Sequence, residues 1–204
     1  MASPEGNLET FHLIVERLLG LLHEAGVESA IIGGLAASVL SESRLTHDID
    51  AVTTANNESY PAILAAASRH GFGHREPASD AFIKASRMIL LADIETGVTV
   101  DLSMAGLAFE FEVIQRAAKA PVAPGAPPVA TAEDLLIMKS VAKRPKDLED
   151  IRQILRVQER LDLRRVRRYL KEFAEALDDP EVVGSFERIY AEVRGSGGGG
   201  KWRS

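Results

Sequence analysis

A chain of 204 residues with 46% hydrophobic content fits one domain, or one with a helical appendage, and the absence of cysteine excludes a disulfide framework and thiolate chemistry. No apolar run approaches the roughly 20 residues that span a bilayer, and the N-terminus MASPEGNLE lacks the basic-then-apolar layout of a signal peptide, so a cytoplasmic location with no membrane partner is expected. The formal net charge of −6 is uneven, because residues 139–171 hold 12 basic against 5 acidic side chains inside an otherwise acidic chain. Such a block suits a polyanion or a solvated helix face.

In chain order, Leu8 to Ala25 places Phe11, Leu13, Ile14, Leu18, Leu21 and Leu22 at helical spacing, with Gly26 as the stop. Val27 to Ile32 is a strand, Leu35 to Leu40 a short helix, and Asp48 to Val52 a second strand. An alanine-rich helix is expected from Tyr60 to His70 and irregular chain over 72–80. Ala81 to Ile94 is rich in strand formers, Glu95-Thr96-Gly97 makes a turn, and Val98 to Met104 alternates, so the two runs read as a hairpin. A helix follows from Leu107 to Ala118. Lys119 to Val129 contains four prolines and is extended. Thr131 with Asp134 marks a capping box at the start of a helix reaching Lys143. Pro145 opens the next helix. Leu163 to Leu177 and Glu181 to Val193 are two further amphipathic helices, and GSGGGGKWRS is a flexible tail. The expected division is a core over 1–130, a helical subdomain over 131–194 and the tail over 195–204.

The chemistry concentrates in IIGGLAASVLSESRLTHDID, residues 31–50. Strand side chains alternate faces, so Asp48 and Asp50 share one while Ile49 enters the core. Two adjacent carboxylates need a positive partner, and a hard divalent cation such as Mg²⁺ suits them. Gly33 and Gly34, without side chains and at a helix start, let the backbone approach a phosphate. Asp101 interrupts an apolar strand, where an acid is costly unless paired or metal-bound. Asp93 is its rival, but Glu95 and Gly97 suggest that Asp93 stands at a strand end.

Gly33-Gly34, thirteen intervening residues, then Asp48-Ile49-Asp50, resembles the signature of the DNA polymerase β-like nucleotidyltransferase superfamily. Arg44-x-Thr46-x-Asp48-x-Asp50 looks more narrowly like the AbiEii-type nucleotidyltransferases, toxins of type IV toxin–antitoxin systems. The segment LLIMKSVAKRPKDLEDI, residues 135–151, is similar to the distal motif of that family, and His47 is a departure from it. The resemblance implies an α/β (α+β) fold with a small mixed sheet, flanking helices and a C-terminal helical subdomain. It implies two Mg²⁺ ions on Asp48, Asp50 and Asp101, and a nucleoside triphosphate (NTP) as donor. Gly33, Gly34 and Ser38, with Arg44 and Thr46, would hold the nucleotide. Lys139 would neutralise phosphate charge as a catalytic residue, with Arg144, Lys146 and Asp147 beside it, and Asp147 and Asp150 could orient Lys139.

The implied reaction transfers a nucleoside monophosphate to RNA, such as tRNA, or to a protein, with release of pyrophosphate. A cognate antitoxin is then an expected partner. A small-molecule (antibiotic-type) nucleotidyltransferase, a non-catalytic nucleotide-binding module acting through a partner, and an α/β protein with no nucleotide site are the alternatives.

Overall fold

The computed structural model describes residues 4–41, 48–119 and 126–195, with side chains from residue 10 onward. The first helix, α1 (Pro4–Glu24), buries Ile14, Leu18, Leu21 and Leu22, one stripe at the helical repeat. Gly26 ends it in the left-handed conformation, φ +69°. The chain then forms β1 (Ser29–Ile32), α2 (Gly33–Leu40) and β2 (Asp48–Thr53). Next come α3 (Tyr60–Ala67) with a 3₁₀ turn over Ser68–His70, β3 (Phe72–His74) and α4 (Asp80–Ser86). β4 (Met88–Asp93), β5 (Thr99–Met104) and α5 (Ala108–Lys119) follow. The last elements are α6 (Ala132–Ala142), α7 (Pro145–Val157), α8 (Leu163–Leu177) and α9 (Glu181–Gly195).

The strands make one mixed sheet in the order β1-β2-β5-β4-β3. β2 and β5 are parallel and the other neighbours antiparallel. Ile49, Ala51, Val100, Leu102, Ile89 and Leu91 are fully buried on one face. The alternate residues of β2 and β5 point the other way and keep solvent exposure at Asp48, Asp50, Thr99 and Asp101. Alternation between a core face and a wet face leaves the polar positions free to carry chemistry. At the edge of the sheet, Val129 bridges Ile31, with Ile31 N–H donating to the Pro128 carbonyl at 2.8 Å. The expected extended chain is therefore seen at its end; residues 120–125 lie outside the described residues.

Two expectations need correction. Residues 72–80, read as irregular, contain β3 and the start of α4, and 81–94 is a helix followed by a strand. The Ser79 hydroxyl accepts a hydrogen bond from Phe82 N–H at 3.2 Å and caps α4; Arg87, at φ 57°, ends it. An N-cap serine outweighs the apolar character of AFIKAS, which favours neither period.

The chain divides into two compact units, Met1–Leu35 with Thr46–Ala130, and Ala36–Leu45 with Thr131–Ser204. The second takes the segment 36–45 as well as the C-terminal helices, and its core contains Leu136, Ile137, Ile151, Ile154, Leu170 and Phe186. Thr131 caps α6: its hydroxyl accepts from Asp134 N–H at 3.4 Å and donates to the Asp134 carboxylate at 2.8 Å. Among the described residues no helix is long and apolar enough to cross a membrane.

Candidate functional site

The exposed face of the sheet is built by register. Asp50 of β2 lies beside Asp101 of β5, Asp101 beside Leu90 of β4, and Asp50 beside Ile32 of β1. Cross-strand partners point to the same face. Arg75 extends the row, its N–H donating to the Leu90 carbonyl at 2.9 Å just past β3. Its guanidinium reaches past Leu90 and Nη2 donates to Asp101 Oδ1. Asp48, one pleat along from Asp50, pairs with Thr99, whose hydroxyl donates to Asp48 Oδ1 at 2.6 Å. The parallel β2–β5 pair thus brings Asp48, Asp50 and Asp101 to one face of the first unit.

Gly33 opens α2 at φ +68°, a conformation disfavoured by a side chain. A Cβ there would stand 2.8 Å from both Cβ and Cγ of Asp50, and closer still to Oδ2. The Asp50 carboxylate therefore rests against the first residue of a helix, where negative charge is favoured. The backbone turn that the sequence assigns to a phosphate cradle also packs against the Asp50 carboxylate. Ser38 lies further along α2, past the point where the chain enters the second unit.

Among the described residues, no three His, Cys, Asp or Glu side chains are gathered closely enough to hold a metal ion. Asp101 is turned to Arg75 and Asp48 to Thr99. The donor set still fits Mg²⁺: hard oxygen ligands, adjacent on one face, with a glycine allowing close backbone approach at Asp50. The Arg75–Asp101 side chains are 36% and 31% exposed, and a pair this wet contributes only about 0–1 kcal/mol. Arg75 Nε is buried with no hydrogen-bond acceptor among the described residues.

Asp93 occupies the opposite face. Its side chain is fully buried, receives Arg17 Nη2 at 2.6 Å, and accepts from both the N–H and the hydroxyl of Thr96. Burial raises the Asp93 carboxyl, but the Thr96 hydrogen bonds and the Arg17 charge outweigh it and hold the group below its ordinary value. It secures the β4–β5 turn.

The second unit holds the other predicted residues. Lys139, only 5% exposed, donates from Nζ to Asp150 Oδ2 at 2.6 Å and lies 3.6 Å from Asp147 Oδ1. Asp147 in turn accepts from Arg144, at 2.5 Å from Nε and 3.1 Å from Nη2. Both aspartates are buried on α7 and Lys139 on α6, so the cluster joins two helices. Lys139 therefore contributes to the packing of α6 on α7 as well as carrying charge. Lys146 is exposed. Arg44 and Thr46 lie outside the described residues.

Three of the four arginines of α8 are also engaged. Arg165 donates to the fully buried Asp134 at 2.9 Å, Arg167 to Glu187 at 2.7 Å and Arg168 to Glu172 at 3.1 Å. Arg165 and Arg168 further stack on the Tyr169 ring.

Sequence reasoning missed Arg75 and Thr99. Thr99 was legible, since it sits two residues before Asp101 on an alternating strand. Arg75 follows a three-residue strand containing Gly73, too short to show any period.

The family model described as "Nucleotidyl transferase of unknown function (DUF2204)" matches residues 12–189 of this chain. Among curated proteins none matches it in sequence. The solution structure of the antibiotic-resistance factor ANT(2'')-Ia is similar over 92% of this chain and 93% of that one, with 15% identity and a TM-score of 0.49. The five-stranded mixed sheet with its flanking helices is the mixed α/β architecture that the sequence implies, in a chain matched by a nucleotidyl transferase family model.

Proposed function

This chain belongs to the DUF2204 nucleotidyl transferase family, and on that footing we propose that it transfers a nucleoside monophosphate from an NTP to an acceptor hydroxyl at the exposed face of the sheet. The observation that carries this reading is the register of Asp50 with Asp101 on parallel strands, with Gly33 against Asp50. In the reaction the acceptor oxygen bonds to the α-phosphorus, the α–β anhydride breaks, and pyrophosphate leaves. Asp101 accepts the hydroxyl proton on a carboxylate oxygen. Asp48 and Asp50, with Asp101, would hold Mg²⁺, which when bound supplies Lewis-acid polarisation of the α-phosphate and charge neutralisation at the leaving pyrophosphate. Thr99 keeps the Asp48 carboxylate oriented through its 2.6 Å hydrogen bond.

The reading with RNA or protein as acceptor, and with a toxin role restrained by a cognate antitoxin, is the finer part of this proposal. One observation favours a small-molecule acceptor instead. Arg165, one of the 12 basic side chains over residues 139–171, is committed to the buried Asp134, and Arg167 and Arg168 already pair with Glu187 and Glu172.

The experiment is to incubate the protein with each α-labelled NTP, Mg²⁺ and, in parallel, total RNA, total protein and a panel of hydroxyl-bearing antibiotics. Label should pass to one acceptor class with stoichiometric pyrophosphate, and Asp101→Asn should lose it. Pyrophosphate release that survives Asp50→Asn and Asp101→Asn alike would remove this face as the site.

A further inference from the structure

Arg75 closes the carboxylate row on the side away from Asp50, and none of its neighbours in sequence carries a motif. Three observations converge on it. Its backbone is fixed by pairing to Leu90, so its side chain leaves the sheet on the same face as Asp101. Its Nη2 donates directly to Asp101 Oδ1. Its Nε is buried without an acceptor among the described residues, so the guanidinium is not fully bonded in this position. A guanidinium anchored through only part of its donor set can exchange partners at little cost.

We propose that Arg75 is a resident counter-ion for Asp101, holding the carboxylate in place until a divalent cation displaces the guanidinium. This rests on the nucleotidyl-transfer reading of the face. Two cations cannot crowd one carboxylate without repulsion, so Arg75 and the incoming ion compete for Asp101. The partial exposure of both side chains, 36% and 31%, lets the exchange occur without opening the core. Arg75 is thus a positioning residue that sets how readily the face loads. The displaced fork can then donate from Nη2 to phosphate oxygens.

The test measures Mn²⁺ binding to the nucleotide-free full chain by the electron paramagnetic resonance signal of free Mn²⁺, which requires no turnover. Arg75→Gln should bind Mn²⁺ tighter than wild type by up to about fivefold, the gain from removing a competing exposed ion pair. Arg75→Lys, which keeps the charge, should stay near wild type. The same Arg75→Gln change made on an Asp101→Asn background should alter Mn²⁺ affinity hardly at all, because the competition needs both partners. Thermal melts of each variant check that the fold is retained.

Equal or weaker Mn²⁺ binding by folded Arg75→Gln overturns the counter-ion role while leaving the transfer reaction intact. A gain that persists undiminished on the Asp101→Asn background also overturns it, since a general field effect would then be the cause. Absence of Mn²⁺ binding in every variant, with and without NTP, overturns both this inference and the metal-dependent reading of the face.

Discussion

The carboxylate face of the sheet and the lysine cluster of the helical unit use the same groups to opposite ends. Each sets aspartates against a cation. On the sheet, Asp101 and Arg75 are about a third exposed; in the helical unit, Lys139 and Asp150 are 6% and 7% exposed. A wet pair adds about 0–1 kcal/mol and can exchange, whereas removing one partner of a buried pair costs about 3–5 kcal/mol. Exposure, more than residue type, separates chemistry that must change partners from chemistry that must not. Lys139 with Asp147 and Asp150 fastens α6 to α7, and the sheet face remains open to ligands.

The largest effect expected is on turnover at the face. Asp101→Asn should lower kcat by about 10³-fold or more, because it removes a proton acceptor and a metal ligand together. Its melting temperature should stay within a few degrees of wild type, as befits a partly exposed side chain. A collapse in stability would erase the contrast with the helical cluster. Lys139→Ala should do the reverse, costing about 3–5 kcal/mol in a denaturant titration by leaving Asp150 buried without its cation, while Asp147 keeps Arg144. The double change Lys139→Met with Asp150→Leu should recover most of that loss. An unmoved denaturation midpoint for Lys139→Ala would return Lys139 to a ligand-facing role.

Gly33→Ala sharpens the comparison from the backbone side. An alanine at this positive φ costs about 1–2 kcal/mol, and its methyl would displace the Asp50 carboxylate. A shift of about 1 Å in a catalytic group lowers the rate by roughly 10²-fold. Steady-state kinetics together with a thermal melt would separate the two effects; an unchanged rate would mean that Asp50 does not act where it now sits.

The smallest effect is a pH dependence on the other side of the sheet. Asp93 has a folded-state value below its unfolded one, so its stabilisation is present above the unfolded carboxyl range and is lost as pH falls through the folded value. Asp93→Asn should flatten the acid limb of stability below about pH 4 while leaving metal binding at neutral pH as it was. Urea midpoints taken across that limb would show it, and parallel limbs for the two proteins would refute it.

Much of the face could be read locally. Asp48-Ile49-Asp50 and Val100-Asp101-Leu102 alternate cleanly, so the outward position of these acids followed from the strand period alone. Gly33 was legible because a strand that ends in two glycines must turn. β3 and α4 were not legible, since Phe-Gly-His is too short for a period and AFIKAS fits two. Asp93 shows a different limit. In MILLAD every neighbour is apolar, so nothing local says which face the acid takes; the pairing of Phe72 with Asp93 and of Leu90 with Asp101 decides it.

The chain by itself determined the identities and parity of the acids, the helical stripes and the cap at Thr131, because each depends on residues within a turn or a pleat of one another. Only the tertiary structure decided that Asp50 meets Asp101, that Arg75 reaches the same row, and how deeply the Lys139–Asp150 pair, anticipated from the 135–151 motif, is buried. Those contacts join residues 51, 26 and 11 positions apart at Asp50–Asp101, Arg75–Asp101 and Lys139–Asp150. Register between strands and burial between helices are set by how whole faces fit together, and no short window of sequence contains both sides of such a fit.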